Sequence, residues 1–295
     1  KKRVSLVLLP RAIYDDFSGQ RIARLQYRSG VAMQREGRGM VAVRTVVQQH
    51  AGTRHGPITR VIDPAGLGEQ LKPFIFLDFF SAPVTKGFGF PMHPHSGIAT
   101  LTWQPDCNIR YEDTLGSDGV LPAGGLEWMN AGVGAWHRAS FDDVAVATGF
   151  QLWVPMPPEI EGEDASAQYV PPEQVPVLQQ EGIEIRLLLG ALMLDTASGS
   201  SPIIAPHDMN YFVLTLHPNS AWRYVPPSSH SVAWAFPFDG EARVAGVCAS
   251  QRLLQLSDHG VIDFASGSQA ARILVGSARP HEYPLVLGPH SVHTS

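Results

Sequence analysis

Cysteine is scarce in this chain. Cys107 and Cys248 are the only two among 295 residues, too few for a disulfide framework. They fit a reducing compartment, most simply as buried free thiols. Charge is low as well: Asp, Glu, Lys and Arg make up 17% of the chain. Basic residues number 22 against 27 acidic ones, and no basic block occurs. Binding to nucleic acid rests on clustered Lys and Arg, so that class of partner is excluded. No apolar run approaches the roughly 18 residues of a membrane span, which excludes a membrane partner of the helical kind. Val4 to Leu9, behind Lys1, Lys2 and Arg3, stops at Pro10-Arg11 with no small-residue cleavage site beyond it. It reads as a first strand rather than a secretory signal, and the expected location is cytoplasmic. No long amphipathic helix, Ser/His/Asp arrangement or phosphate loop stands out. Gly87-Phe88-Gly89 lacks the downstream Gly, Lys or helix start that a phosphate loop needs.

Turn residues are abundant instead. Gly 28 and Pro 24 are spread along the chain, and short apolar runs alternate with them. That rhythm predicts an all-β protein. A chain of this length buries roughly 75% of the surface its unfolded form exposes, so it needs no staple. Residues 51 to 72 read as a loop. Phe74 to Phe80 is an apolar run around one acid, short enough for a buried strand. The clearest shift in composition runs from Pro155 to Pro176, rich in proline and acids. It divides the chain into a first half, 1–155, a Pro-rich acidic linker with a solvated surface, 156–176, and a second half, 177–295. Two β-barrels or sandwiches in tandem are the expected architecture.

The residues that carry chemistry are histidines. In Phe90-Pro91-Met92-His93-Pro94-His95-Ser96-Gly97, His93 and His95 are two apart, so an extended backbone points both imidazoles to one side. His137 follows at the end of Trp128-Met129-Asn130-Ala131-Gly132-Val133-Gly134-Ala135-Trp136-His137. Three imidazoles on neighbouring strands would form a three-nitrogen face for a transition metal. The bland alternative is a surface loop with solvated histidines, because a two-residue His pair is a weak pattern alone. Trp103, Met129 and Trp136 are candidates to line a cavity over the metal. His207, His217, His230, His259 and His281 read as surface histidines, and His290 and His293 as part of a solvated tail, ahead of a weak adventitious metal pair.

With Asp113-Thr114-Leu115-Gly116 and Gln151-Leu152-Trp153-Val154 added, these motifs resemble the pirin family of bicupins. The resemblance covers most of the chain and is strongest from about Phe74 to Trp153. It implies two stacked cupin (double-stranded β-helix, jelly-roll) barrels, with one divalent metal in the N-terminal barrel and none in the C-terminal barrel. Iron is the first expectation, with nickel, copper, manganese or zinc as alternatives, or no metal if the site is degenerate. The implied ligands are His93, His95, His137 and a glutamate two residues beyond the last. Position 139 is Ala139, so the carboxylate is missing. Its loss leaves a divalent ion uncompensated, which lowers affinity and acidifies a bound water. Glu127 and Glu112 are the candidate substitute ligands, ahead of Asp142 and Asp143. Two functions follow from the resemblance. One is a flavonol-cleaving, quercetin 2,3-dioxygenase-like reaction on a small aromatic substrate, altered by Ala139. The other is a non-enzymatic, metal-responsive regulator that binds a protein partner.

Overall fold

The computed structural model describes residues 41–84, 89–141 and 146–295 in full, and among residues 13–40 only the backbone of short strands. The strand expected at Val4 to Leu9 lies outside the described residues, as do Asp142 and Asp143. Among the described residues the regular structure is nearly all β, with one short α-helix and one 3-10 turn. Each barrel has one seven-stranded and one four-stranded sheet, the second large sheet taking its seventh strand from Val46–His50. In the first half the larger sheet runs in the spatial order 166–170, 126–130, 98–103, 146–155, 76–83, 58–62 and 53–55. The smaller runs Gly89–His95, Ala135–Ser140, Ile109–Asp113 and Asp118–Leu121. The second half repeats the plan with strands from Val177–Gln180 to Ala271–Ala278. This is a tandem cupin fold.

The two large sheets stack back to back. Along Met209–Leu216, Phe212 and Leu214 fill the second barrel while Tyr211 and Val213 face the first. Both faces of the strand are therefore buried, and it reads as a continuous apolar run. The Phe76–Pro83 strand is apolar for the same reason. Its neighbour Phe74 meets Trp234 edge-on at 5.3 Å, and Phe79 meets Phe236 at 5.6 Å, across the seam.

Three stretches differ from the sequence reading. Residues 51–72 are not a loop. Thr53–His55 and Ile58–Ile62 form a hairpin that extends the first sheet, and Leu67–Leu71 is a short helix. Within the linker stretch, Ser166–Val170 adds an edge strand against Leu126–Asn130. Val46–His50, early in the chain, pairs with Leu253–Leu256 and closes the edge of the second large sheet. Arg44, just before it, is buried and donates to the carbonyls of Ser257, His230 and Gly260. Burial lowers its pKa to about 10. Of the cysteines, Cys107 is buried, its thiol pushed up to about 11 by burial, whereas Cys248 is exposed because its short strand sits at a sheet edge.

Candidate metal centre

The register of the small sheet assembles the histidines. His93 and His137 are direct partners on antiparallel strands, and His95 stands opposite Ala135 two residues along the same face. A bulge between Phe90 and His93 sets this register. The three rings converge: their centroids lie 4.6 Å (His93–His137), 4.9 Å (His93–His95) and 5.2 Å (His95–His137) apart. Their ligand nitrogens all fall within 4.8 Å of one another. Two imidazoles bound to one ion at about 2.1 Å, at right-angled to tetrahedral spacing, have centroids about 4.6–5.3 Å apart. The observed spacings match that range.

The protonation pattern also suits a cation. His93 Nδ1 lies 2.7 Å from the Pro91 carbonyl, His95 Nδ1 lies 2.9 Å from the His290 carbonyl, and His137 Nδ1 lies 2.9 Å from Glu127 Oε1. A carbonyl or carboxylate only accepts, so each ring carries its proton on Nδ1 and turns the lone pair of Nε2 inward. His93 Nε2 and His137 Nε2 then face each other at 3.2 Å, and His95 Nε2 is buried without a hydrogen-bond partner. An orphaned acceptor beside two inward lone pairs is the arrangement a metal ion satisfies. Burial is also the main reason His93 and His95 stay neutral. It lowers the pKa of His93 and takes that of His95 down to about 3, with the neighbouring histidines adding to the effect.

The other candidates sort by strand alternation. Glu127 reaches the site, but behind His137 rather than beside it, as the acceptor that orients the ring. Glu112 points out of the barrel and pairs with Arg138, so it is no substitute ligand. Met129, two residues from Glu127, is fully buried against Ala131 and Ala135. Trp103 faces the seam between barrels, near Phe150 and Phe238, and does not line a metal cavity. Trp136 alternates with His137 and is 48% exposed on the outer face. Ala139 packs on the inner face against Phe90 and Tyr111.

Several site neighbours escaped the sequence reading. Tyr169, from the added edge strand, donates to Asp113 Oδ2 at 2.9 Å and stacks on Tyr111 at 3.7 Å. Burial and the Glu127 and Asp113 charges hold its phenol well above the usual range. The tail is not simply solvated. Val292 is buried, and His293 Nε2 lies 3.0 Å from Ser96 Oγ. Thr294 donates through its amide and hydroxyl to the two Glu161 oxygens at 2.8 Å each. Nor are all the second-half histidines on the surface. His230 and His281 are buried, and His207 donates to the Pro155 carbonyl. Both ring nitrogens of His230 are taken by Ser277 and Asp208, so it offers no free ligand atom. Only spatial neighbours reveal these roles, and each lies far along the chain from its partner.

Two stacked barrels with a histidine triad in the first make this molecule a bicupin. The Pirin family model matches residues 57–154. A Pseudomonas aeruginosa protein, whose name carries a provisional quercetin 2,3-dioxygenase assignment, is 31% identical over 263 residues, covering 84% of this chain and 90% of its own. Pirin-1 of Arabidopsis thaliana is 28% identical over 218 residues, covering 74% of this chain and 72% of its own. Among solved structures, a quercetin 2,3-dioxygenase from Acinetobacter baumannii superimposes with a TM-score of 0.76 at 20% identity, over 86% of this chain and 93% of its own. The nickel(II) complex of the Escherichia coli pirin YhhW gives 0.60 at 20% identity, over 78% and 95%. The chain belongs to the pirin family. No helix among the described residues is long and apolar enough to cross a membrane.

Proposed function

We propose that this protein is a metal-binding bicupin that acts on flavonol-like aromatic substrates by a quercetin 2,3-dioxygenase type of reaction. The observation that carries the reading is the convergence of three inward Nε2 atoms, each held by an acceptor on Nδ1. His93, His95 and His137 would hold the ion, with iron as first choice and nickel, copper, manganese or zinc as the others. A bound divalent metal supplies Lewis acidity toward a hydroxyl–carbonyl pair on the substrate. Glu127 fixes the His137 tautomer and ring plane. A cleft of about 550 Å³ begins at Pro91 and Ala139, close in sequence to His93 and His137. Its volume suits a small molecule, and its lining includes Glu112 and Arg138 but none of the three histidines. With Ala139 in place of a carboxylate, the chain offers no proton acceptor at that position, so substrate must arrive ionised or lose its proton to solvent.

Ala139 also supports a second reading, a metal-responsive regulator that binds a protein partner and performs no turnover. One experiment separates the two. Metal is stripped with chelator, each of the five ions is added back, and content is measured beside a His93→Ala/His95→Ala variant. Oxygen uptake with quercetin is then followed. Close to one ion per chain, lost in the variant, together with flavonol-dependent oxygen uptake supports the enzyme. Stoichiometric metal without uptake favours the regulator. A native chain that takes up none of the ions ends both metal readings.

A further inference from the structure

The chain's last residues return from the second barrel to the mouth of the first. Val286–Leu287 and Val292–His293 form a short hairpin. Ser291 bridges to Ser96, between the histidine pair and Gly97, and the Val292 amide donates to the Ser96 carbonyl. Gly97 shows how close the approach is. A Cβ there would meet the Val292 carbonyl oxygen at 2.2 Å and the His293 ring at 2.7 Å. The strap thus has a built seat, and it carries His290 to the site.

The main-chain carbonyl of His290 is the group that holds His95 Nδ1. Its side chain is exposed, and its ring centroid lies 6.2 Å from His93 and 6.3 Å from His95. Those separations exceed the ligand-pair range by about 1 Å. The backbone on either side is fixed by hydrogen bonds, but the exposed side chain is free to rotate, and a rotamer change is a small motion. His290 approaches from the His95 end of the site, while the missing carboxylate at position 139 would have stood beyond His137. Three imidazoles leave a divalent ion with open positions.

Resting on the metal-site reading above, we propose that His290 swings in as a fourth imidazole ligand, so that the C-terminal strap both orients His95 through its carbonyl and closes on the ion through its ring. Metal occupancy and strap position are then coupled, and the site draws on both barrels.

The test uses full-length protein, stripped of metal and titrated with cobalt(II), reading affinity by chelator competition and coordination by the visible d–d spectrum. His290→Ala removes the ring but keeps the carbonyl that holds His95. His293→Ala loosens the strap and keeps the His290 ring. His93→Ala reports the triad itself. The expected result is an affinity loss of about tenfold or more in His290→Ala, with a changed spectrum. His293→Ala should show a smaller loss and the native spectrum. If His290→Ala binds cobalt with native affinity and spectrum while His93→Ala does not, His290 is no ligand and the triad stands. Equal losses in His290→Ala and His293→Ala with unchanged spectra would reduce the strap to a structural part, overturning the proposal. If the native chain binds no cobalt, the metal site itself fails, and the fourth ligand with it.

Discussion

Glu127 shows most clearly how one side chain acquires a role from its surroundings. It is almost fully buried and has His137 Nδ1 as its partner at 2.9 Å. A carboxylate behind a ligating imidazole raises the basicity of the ring and fixes its plane. It also brings a carboxylate group up to a triad that has alanine at position 139. Glu127→Ala should therefore weaken metal binding by about 10- to 100-fold, and Glu127→Gln, which keeps an acceptor oxygen, by less. Chelator competition measures both, and native affinity in the alanine variant would refute the role. The convergence of His93 and His95 was legible, because a two-residue spacing in extended backbone has one geometric outcome, whereas His137 comes beside them through strand register. The part played by Glu127 was not. A carboxylate on a strand can serve as ligand, as ring partner or as outward ion pair, and register decides which. Glu112, on the strand paired with that of His137, took the third course.

At the scale of elements, the strap and its seat are the feature that sets this site apart. Gly97 adopts a φ of 71°, a left-handed conformation that favours glycine, directly under the Val292 carbonyl. Gly97→Ala should displace the strap, because the Val292 carbonyl and the His293 ring block an added methyl. Hydrogen exchange of the 286–295 peptide should speed up markedly, with global stability falling by about 1–2 kcal/mol. Exchange at the native rate would show that the seat tolerates a methyl group. Sequence rhythm located most strands of both barrels, yet it missed the edge elements. The strands Thr53–His55 and Ser166–Val170 are short, largely polar and at the edges of the sheet. Their only reason to be β is an open sheet edge supplied from elsewhere.

At the scale of the whole molecule, burial of histidine makes stability depend on pH. Burial, assisted by His207 and Lys72, lowers the pKa of His281 to about 4, while an unfolded histidine titrates near 6.5. The unfolded chain then binds a proton that the folded chain refuses. Stability is full above pH 6.5 and falls as pH drops from there toward 4. For metal-free protein, urea unfolding at pH 7.5 and pH 5 should differ by about 2 kcal/mol on account of His281 alone, and His281→Gln should remove that share. A variant with the full native slope would place the proton uptake elsewhere.

The sequence by itself determined the all-β character, the two-half plan and the three-histidine face, because alternation and turn residues act locally and a short spacing constrains geometry. The tertiary structure alone decided which acid stands behind His137, which tryptophans miss the site, and that His290 reaches it. Those outcomes depend on register between distant strands and on a tail that crosses from one barrel to the other. No local pattern encodes contacts between residues almost two hundred positions apart, such as His95 and His290.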